Sequence, residues 1–255
     1  KIARKIKDAG IARVSISIDG KDAQSHDPFR GIPGSFDAAI RGSKLLMDEG
    51  VEFQFNTTIT KRNIDMVDDI LALAETSGAC ALHFFMLVPV GCGVEIAETD
   101  MLSPEKYEET LHWFYNRSKE TSLEFKATCA PHYYRVIREE AHKENRKINF
   151  EQDGMAAMTK GCLAGSGVCF ISHRGDIQPC GYLPLVAGNV LEKSFTDIWK
   201  DSDLFKSLRD VNQLKGKCGI CEYNRVCGGC RARSYHAKDD YLEEEPFCIY
   251  QPKRN

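Results

Sequence analysis

No run of apolar residues in this 255-residue sequence approaches the ~18 needed to cross a bilayer, which excludes a membrane-spanning helix. Its first residues are basic and amphipathic, without the apolar stretch of a secretory signal. Charge of one sign is missing as well. The 34 basic residues stand against 37 acidic ones, a formal net charge of −3, which argues against a general nucleic-acid binder or an anionic membrane surface as partner. An even set of cysteines is absent too: there are eleven, so a simple disulfide framework is disfavoured, and a chain of 28.7 kDa buries enough core to fold without one. These absences point to a cytoplasmic protein of one large or two modest domains.

What the chain holds in excess is sulfur near its carboxyl end. Cys218 and Cys221 have two residues between them, five separate Cys221 from Cys227, two separate Cys227 from Cys230, and Cys248 follows after seventeen. Four thiols within thirteen residues need a common partner. Thiolates are soft ligands, and Gly219, Gly228 and Gly229 supply the tight turns that aim several sulfurs at one centre. Upstream, Cys162, Cys169 and Cys180 are spaced by six and ten residues, with Gly175 in the turn-like His173-Arg-Gly-Asp176. Residue types alone leave two readings, iron–sulfur clusters or the tetrahedral zinc sites that paired Cys-x2-Cys units also make. The second would make the chain an interaction module. Brown protein containing iron and sulfide selects the first, and colourless protein containing zinc the second.

Before these cysteines, hydropathy alternates between two periods. Lys1 to Asp8 reads as a basic helix closed by Gly10. Arg13 to Gly20 sets Val14, Ile16 and Ile18 against Ser15, Ser17 and Asp19, the period of a strand. A polar loop over 26–34 leads to Ser35, which caps a helix carrying Phe36, Ala39, Ile40, Leu46 and Met47. A strand over 51–59, a helix after Asn63 and a strand over 81–88 follow, the last so apolar that it predicts cover on both faces. Ser103-Pro104 opens a helix to about Lys119. A strand over 122–129 and a helix from Pro131 complete the series, and short helices are expected over 194–199 and 204–208. This alternation predicts parallel βαβ units, an open sheet or part of a barrel, with function at the carboxyl ends of the strands. Residues 1–144 then form one domain, 145–161 a polar linker and 162–255 a cysteine-rich domain.

The order Cys162, twelve residues, Gly175, four residues, Cys180, then Cys218, two, Cys221, five, Cys227, and finally Cys248 resembles the SPASM domain of many radical S-adenosylmethionine (SAM) enzymes. Ser17-Ile-Asp19-Gly20, His26-Asp-Pro-Phe-Arg30-Gly and Gly34-Ser-Phe-Asp37-Ala-Ala are similar to segments after a middle barrel strand of the same family. The resemblance implies an α/β fold, a partial (β/α) radical SAM barrel incomplete at its amino end, followed by a small SPASM domain. It further implies two auxiliary [4Fe–4S] clusters, one on Cys162, Cys169, Cys180 and Cys230, the other on Cys218, Cys221, Cys227 and Cys248. Cys227 and Cys230 have two residues between them where the family commonly has three. The Cys-x3-Cys-x2-Cys loop that binds the SAM-cleaving cluster is not in the sequence, since no two cysteines have three residues between them. The start at Lys1 points to a fragment whose third cluster lies upstream, the alternative being a non-catalytic relative.

Within that family, Leu87-Val-Pro-Val-Gly-Cys-Gly93, Thr128-Cys-Ala-Pro-His-Tyr-Tyr-Arg135 and Cys227-Gly-Gly-Cys-Arg-Ala-Arg233 are similar to the tetrapyrrole-modifying branch. That branch includes anaerobic heme synthases, which decarboxylate two propionates of iron-coproporphyrin III to vinyl groups and so give heme b. It also includes didecarboxysiroheme deacetylases and heme d-type enzymes; Val-Gly-Cys-Gly leans toward the first. The resemblance implies cleavage of SAM to a 5′-deoxyadenosyl radical, removal of a hydrogen from a propionate β-carbon, loss of carbon dioxide, and transfer of one electron to an auxiliary cluster. Ser17, Asp19, Asn56 and Thr58 are expected at SAM, and Val88 at its adenine. Arg30 and Arg135 are expected at propionates, His132 and Tyr133 at the macrocycle or its iron, and Cys92 at substrate. A tetrapyrrole and an electron donor such as flavodoxin or ferredoxin are the expected partners. Plainer roles compete: Ser17 and Thr58 on a polar strand face, Arg30 tied to Asp27 or Asp37, His132 and Tyr133 packing their helix. His83 then reads as a core histidine, and Cys80 and Cys129 as small buried apolar residues.

Overall fold

A computed structural model describes residues 1–253. In chain order its elements are α1 (Ile2–Asp8), β1 (Arg13–Ser17), α2 (Ala23–Arg30), α3 (Ser35–Asp48), β2 (Glu52–Ile59), α4 (Val67–Thr76), β3 (Ala81–Met86), α5 (Gly93–Asp100), α6 (Pro104–Ser118), β4 (Glu124–Thr128) and α7 (His132–Lys143). There follow α8 (Phe150–Asp153), β5 (Phe170–Ile171), β6 (Asp176–Gln178), β7 (Gly188–Asn189), α9 (Phe195–Asp201), α10 (Asp203–Arg209), α11 (Gly216–Ile220) and α12 (Arg231–Lys238). Two compact units divide the chain. The first holds residues 1–87, 96–102 and 113–128; the second holds 88–95, 103–112 and the chain from Cys129 onward. The helix α7, which the sequence pattern groups with the strands, belongs to the second. No helix among the described residues is long and apolar enough to cross a membrane.

In the first unit the period-two stretches form a parallel sheet in the order β1-β2-β3-β4. Ser17 lies opposite Asn56, Asn56 opposite His83, and Thr58 opposite Phe85. Since side chains alternate across a strand, these residues share one face. The other face carries Phe53, Phe55, Ile59, Leu82, Phe84 and Met86, all buried with Leu46 of α3 and Val67, Ile70, Leu71 and Ala74 of α4. Edge-on rings extend this core, Phe84 against Phe114 at 4.8 Å and 86°; each buried phenylalanine contributes roughly 1.5–3 kcal/mol. The cover on both faces that the apolar run of β3 predicts is therefore uneven: His83 and Phe85 are only partly buried.

The loop predicted over 26–34 is largely helix. Asp22 caps α2 by accepting from the Ser25 N–H at 2.9 Å, and the Ser25 hydroxyl reaches back to the Asp22 amide, a reciprocal box that fixes the start of the helix. Gly31, at φ +67°, ends it. Asp27 then organises the next helix, its carboxylate accepting from Gly34 N, Ser35 Oγ and Phe36 N at the start of α3.

The second unit is built on a small antiparallel sheet, β5-β6-β7, whose turn has Gly175 at φ +86°. Its core joins Val88, Ile177, Leu183, Ile198, Phe205, Leu208, Cys230 and Ala232. The stretch expected as a bare linker folds into α8 and a 3-10 turn over Gly154–Ala157, with Asn149 capping α8 through Gln152 N at 2.9 Å.

Candidate functional site

One cavity in the second unit gathers Cys218, Cys221, Cys227 and Cys248, together with His132, Arg135 and Lys217, around about 410 Å³ of empty space that includes its open mouth. The local chain explains why these thiols converge. Cys218 rides on α11 and Cys221 caps its end; Gly219 permits the tightness there, since a Cβ would lie 2.2 Å from the Leu214 carbonyl oxygen. Gly228 and Gly229 both take the left-handed conformation, at φ +70° and +64°, turning the chain between Cys227 and Cys230. A Cβ on Gly229 would stand 2.4 Å from the Arg231 guanidinium and 3.2 Å from Cys218 Sγ.

Donors point at the sulfurs. Tyr223 N–H donates to Cys221 Sγ at 3.4 Å and Gly229 N–H to Cys227 Sγ at 3.4 Å; Glu245 N–H and Arg231 Nη2 donate to Cys218 Sγ at 3.5 and 3.7 Å. Such bonds favour thiolate over thiol. Burial acts the other way, raising Cys221 and Cys227 and pushing Cys248 up to about 11. Packed together and shielded from water, the sulfurs become anionic only where a positive centre joins them.

Behind the cavity lies a fully buried ionic cluster. Arg233 donates to both carboxylate oxygens of Glu245, at 2.9 and 3.2 Å, and to Tyr107 Oη at 3.0 Å. Burial would raise the Glu245 carboxyl, but the charge of Arg233, with His132, holds it at about 2. Glu245 also accepts from Cys230 N at 2.6 Å. His132 is fully buried, and neither ring nitrogen has a hydrogen-bond partner; Nε2 lies 3.8 Å from Glu245 Oε2. Burial, against the pull of Glu245 and helped by Arg233 and Arg135, brings the imidazole down to about 4, so the ring is neutral with one N–H to donate.

These residues fit an iron–sulfur cluster. Four thiols, N–H groups aimed at sulfur and a partnerless buried imidazole line one space. All eleven cysteines are free thiols.

Burial raises the thiols of Cys180 and Cys230, with Cys162 adding to each, and burial and then Cys230, Cys180 and Cys162 raise that of Cys129. Cys169 is raised by burial alone. The sequence assigns Cys129 to inert packing, and no spacing rule connects it with thiols 33 or more residues away.

Several expected cofactor and substrate residues already have partners. Asp19 is fully buried, paired with Arg30 and accepting Thr58 N–H at 2.7 Å, while its own amide donates to His26 Nδ1 at 3.0 Å. Burial raises its carboxyl against the opposing charge of Arg30. Arg30 is thus tied to Asp19, and not to Asp27 or Asp37. Arg135 is 2% exposed and bound by Glu108 at 2.6 and 2.5 Å and by Glu139, with its guanidinium 4.8 Å from the Tyr250 ring centre. Its fork is filled by protein carboxylates. Val88 packs in the core of the second unit, Ser17 and Cys92 are exposed, and Tyr133 is partly buried. Asn56 accepts from Gln54 Nε2 at 2.8 Å, and the same amide lies 2.9 Å from His83 Nδ1, placing His83 on the polar sheet face and not in the apolar core.

Residues 162–231 match the SPASM family, an iron–sulfur cluster-binding domain. Over 252 residues, 99% of its length, the chain is 51% identical to the AdoMet-dependent heme synthase of Methanosarcina barkeri and spans 71% of that protein. The chain belongs to the heme synthase family. It is 50% identical over 252 residues to the heme synthase of Nitratidesulfovibrio vulgaris, spanning 68% of it. The SAM-bound crystal structure of SuiB from Streptococcus suis aligns at a TM-score of 0.65 and 16% identity, covering 93% of this chain and 53% of SuiB. That likeness shows the fold, an incomplete radical SAM barrel followed by a SPASM domain.

Proposed function

We propose that the protein containing this chain converts iron-coproporphyrin III to heme b by oxidative decarboxylation of two propionates to vinyl groups. The observation that carries this reading is identity of about half along 99% of the chain to heme synthases. In this reading residues 1–144 are the barrel portion and 162–255 the cluster domain. A SAM-cleaving cluster, whose Cys-x3-Cys-x2-Cys loop is not among these 255 residues, would supply the radical.

Cys218, Cys221, Cys227 and Cys248 hold one auxiliary cluster, and Cys162, Cys180 and Cys230 contribute to another. Such clusters supply one-electron acceptors whose potentials follow hydrogen bonding and burial. The chain's own part is to shape those conditions. Tyr223, Gly229 and Glu245 amides neutralise thiolate charge, and Arg135 stands as a fixed cation beside the cavity. In the barrel portion, Ser17, Asn56 and Thr58 lie on one sheet face, the expected side for SAM. Asp19 acts there by fixing Thr58 and Arg30. Arg30 and Arg135 are committed to carboxylates of the protein, and Cys92 is the substrate contact in this reading. Free cysteines throughout favour a reducing cytoplasm and a small redox protein as electron donor.

The complete natural protein, reconstituted anaerobically with iron and sulfide and given SAM and a low-potential reductant, is expected to turn iron-coproporphyrin III into heme b, read by absorbance and mass. Loss of acetate groups from didecarboxysiroheme, with no product from iron-coproporphyrin, would assign the deacetylase reaction instead.

A further inference from the structure

We propose that Cys129 is the fourth ligand of the first auxiliary cluster, completing a set with Cys162, Cys180 and Cys230, and that Cys169 stands outside it. The proposal rests on the iron–sulfur reading above and changes its ligand assignment. Three separate features of the chain bring Cys129 to the three other thiols. Toward Cys162, Gly161 lies flat against Pro131: a Cβ there would fall 2.6 Å from Pro131 Cα and 2.7 Å from its carbonyl oxygen. The segment just after Cys129 is therefore pressed on the residue that precedes Cys162. Gly161 N–H also donates to Val226 O at 2.8 Å, which fixes that strip of chain beside the Cys227–Cys230 turn.

Toward Cys230, the tie is Arg233, in the first turn of the helix that Cys230 caps; its Nη1 donates to the Cys129 carbonyl oxygen at 2.8 Å. Tyr107 Oη donates to the same oxygen at 3.2 Å. Toward Cys180, both side chains pack against one buried core, which also holds Cys230.

The backbone supports the same reading. Cys129 sits at φ +55°, one of three non-glycine residues among those described with positive φ. This conformation costs on the order of 1–3 kcal/mol and persists only where surroundings impose it. Here two donors hold its carbonyl oxygen, Tyr107 Oη and Arg233 Nη1. Simple space-filling needs no such arrangement. Cys169 packs against the same core but has none of these hydrogen bonds, and the next residue, Phe170, is half-exposed.

The test uses the complete protein, reconstituted anaerobically, with Cys129→Ser and Cys169→Ser compared with the parent for iron, sulfide, the electron paramagnetic resonance of the reduced state and far-ultraviolet circular dichroism. Cys129→Ser is expected either to lose one cluster, about four irons per chain, or to keep it with a changed resonance, with circular dichroism unaltered. Cys169→Ser is expected to match the parent in iron and spectrum. Parent-like iron and resonance in Cys129→Ser, or loss of a cluster in Cys169→Ser, would overturn the assignment. Should Cys129→Ser fail to fold, Cys169→Ser decides alone, because its half-buried position tolerates serine. Failure of the iron–sulfur reading itself has a different mark, a colourless parent that contains zinc.

Discussion

At the scale of single residues, the imidazole of His132 is the most exacting feature of the cavity. A buried donor without an acceptor costs roughly 1–3 kcal/mol, and nothing in the described protein offers that acceptor. An N–H pointing at cluster sulfur stabilises the reduced, more negative state, so its removal lowers the potential. His132→Phe keeps the ring and its edge contact with Tyr107. A hydrogen bond worth roughly 1 kcal/mol corresponds to a shift on the order of 50 mV in a one-electron couple. Redox titration of the holoprotein is expected to show one auxiliary potential lowered by about that amount in His132→Phe and the other unchanged. Equal potentials in both proteins would reduce His132 to packing. The sequence offers the residue but hides this situation. In the same way Arg30 and Arg135 read as carboxylate forks, which they are, but the carboxylates are Asp19, Glu108 and Glu139 of the chain itself. Residue type reveals what a side chain can bind; only folding reveals whether that capacity is already used.

Among the elements, α2 makes the clearest prediction. His26 is buried on it with Nδ1 accepting the Asp19 amide, a role open only to an unprotonated nitrogen. Burial and the charge of Arg30 lower its affinity for a proton, with Asp27 opposing them. The unfolded histidine takes up a proton near pH 6.5 while the folded one does not, so acid favours the unfolded chain. Its contribution is fully present above pH 6.5 and declines as pH falls below that value. His26→Asn keeps an acceptor but cannot titrate. Thermal melts from pH 7.5 to 5.5 are expected to show wild type losing stability faster than His26→Asn; parallel curves would show that His26 ionises freely in the fold. The sequence reads as loop over 26–34 because of Pro28 and the glycines after it, and the reciprocal Asp22–Ser25 cap that starts the helix emerges only in the fold. Pro28 is the sixth of the eight residues of α2; it lacks the N–H that would bond to the Gln24 carbonyl, and the helix ends two residues later. Long periodic stretches such as α3, α4 and the four parallel strands were plain in the sequence, since burial of one face imposes their period. Short pieces such as α8, α11 and α12 were not, because they are held by caps and by neighbouring sulfur-bearing loops and show no period of their own.

For the molecule as a whole, the cysteine order was enough to foresee a cluster-binding domain, while the grouping of its thiols depended on contacts between distant segments. Burial makes the thiols of Cys221, Cys227 and Cys248 weaker acids, so without a positive partner their sulfurs stay protonated. Metal that binds only the folded chain adds to stability by mass action. Anaerobic removal of iron with a chelator is therefore expected to lower the melting temperature of the protein, and reconstitution with iron and sulfide to restore it; an unchanged melt would show that the sulfur-bearing loops hold their shape unaided. Glu245 deserves the last consideration. Its amide serves the sulfur of Cys218, and its carboxylate serves the amide of Cys230. A single peptide unit and its side chain thus brace both thiol groups, so that settling one inorganic cage narrows the motions left to the other.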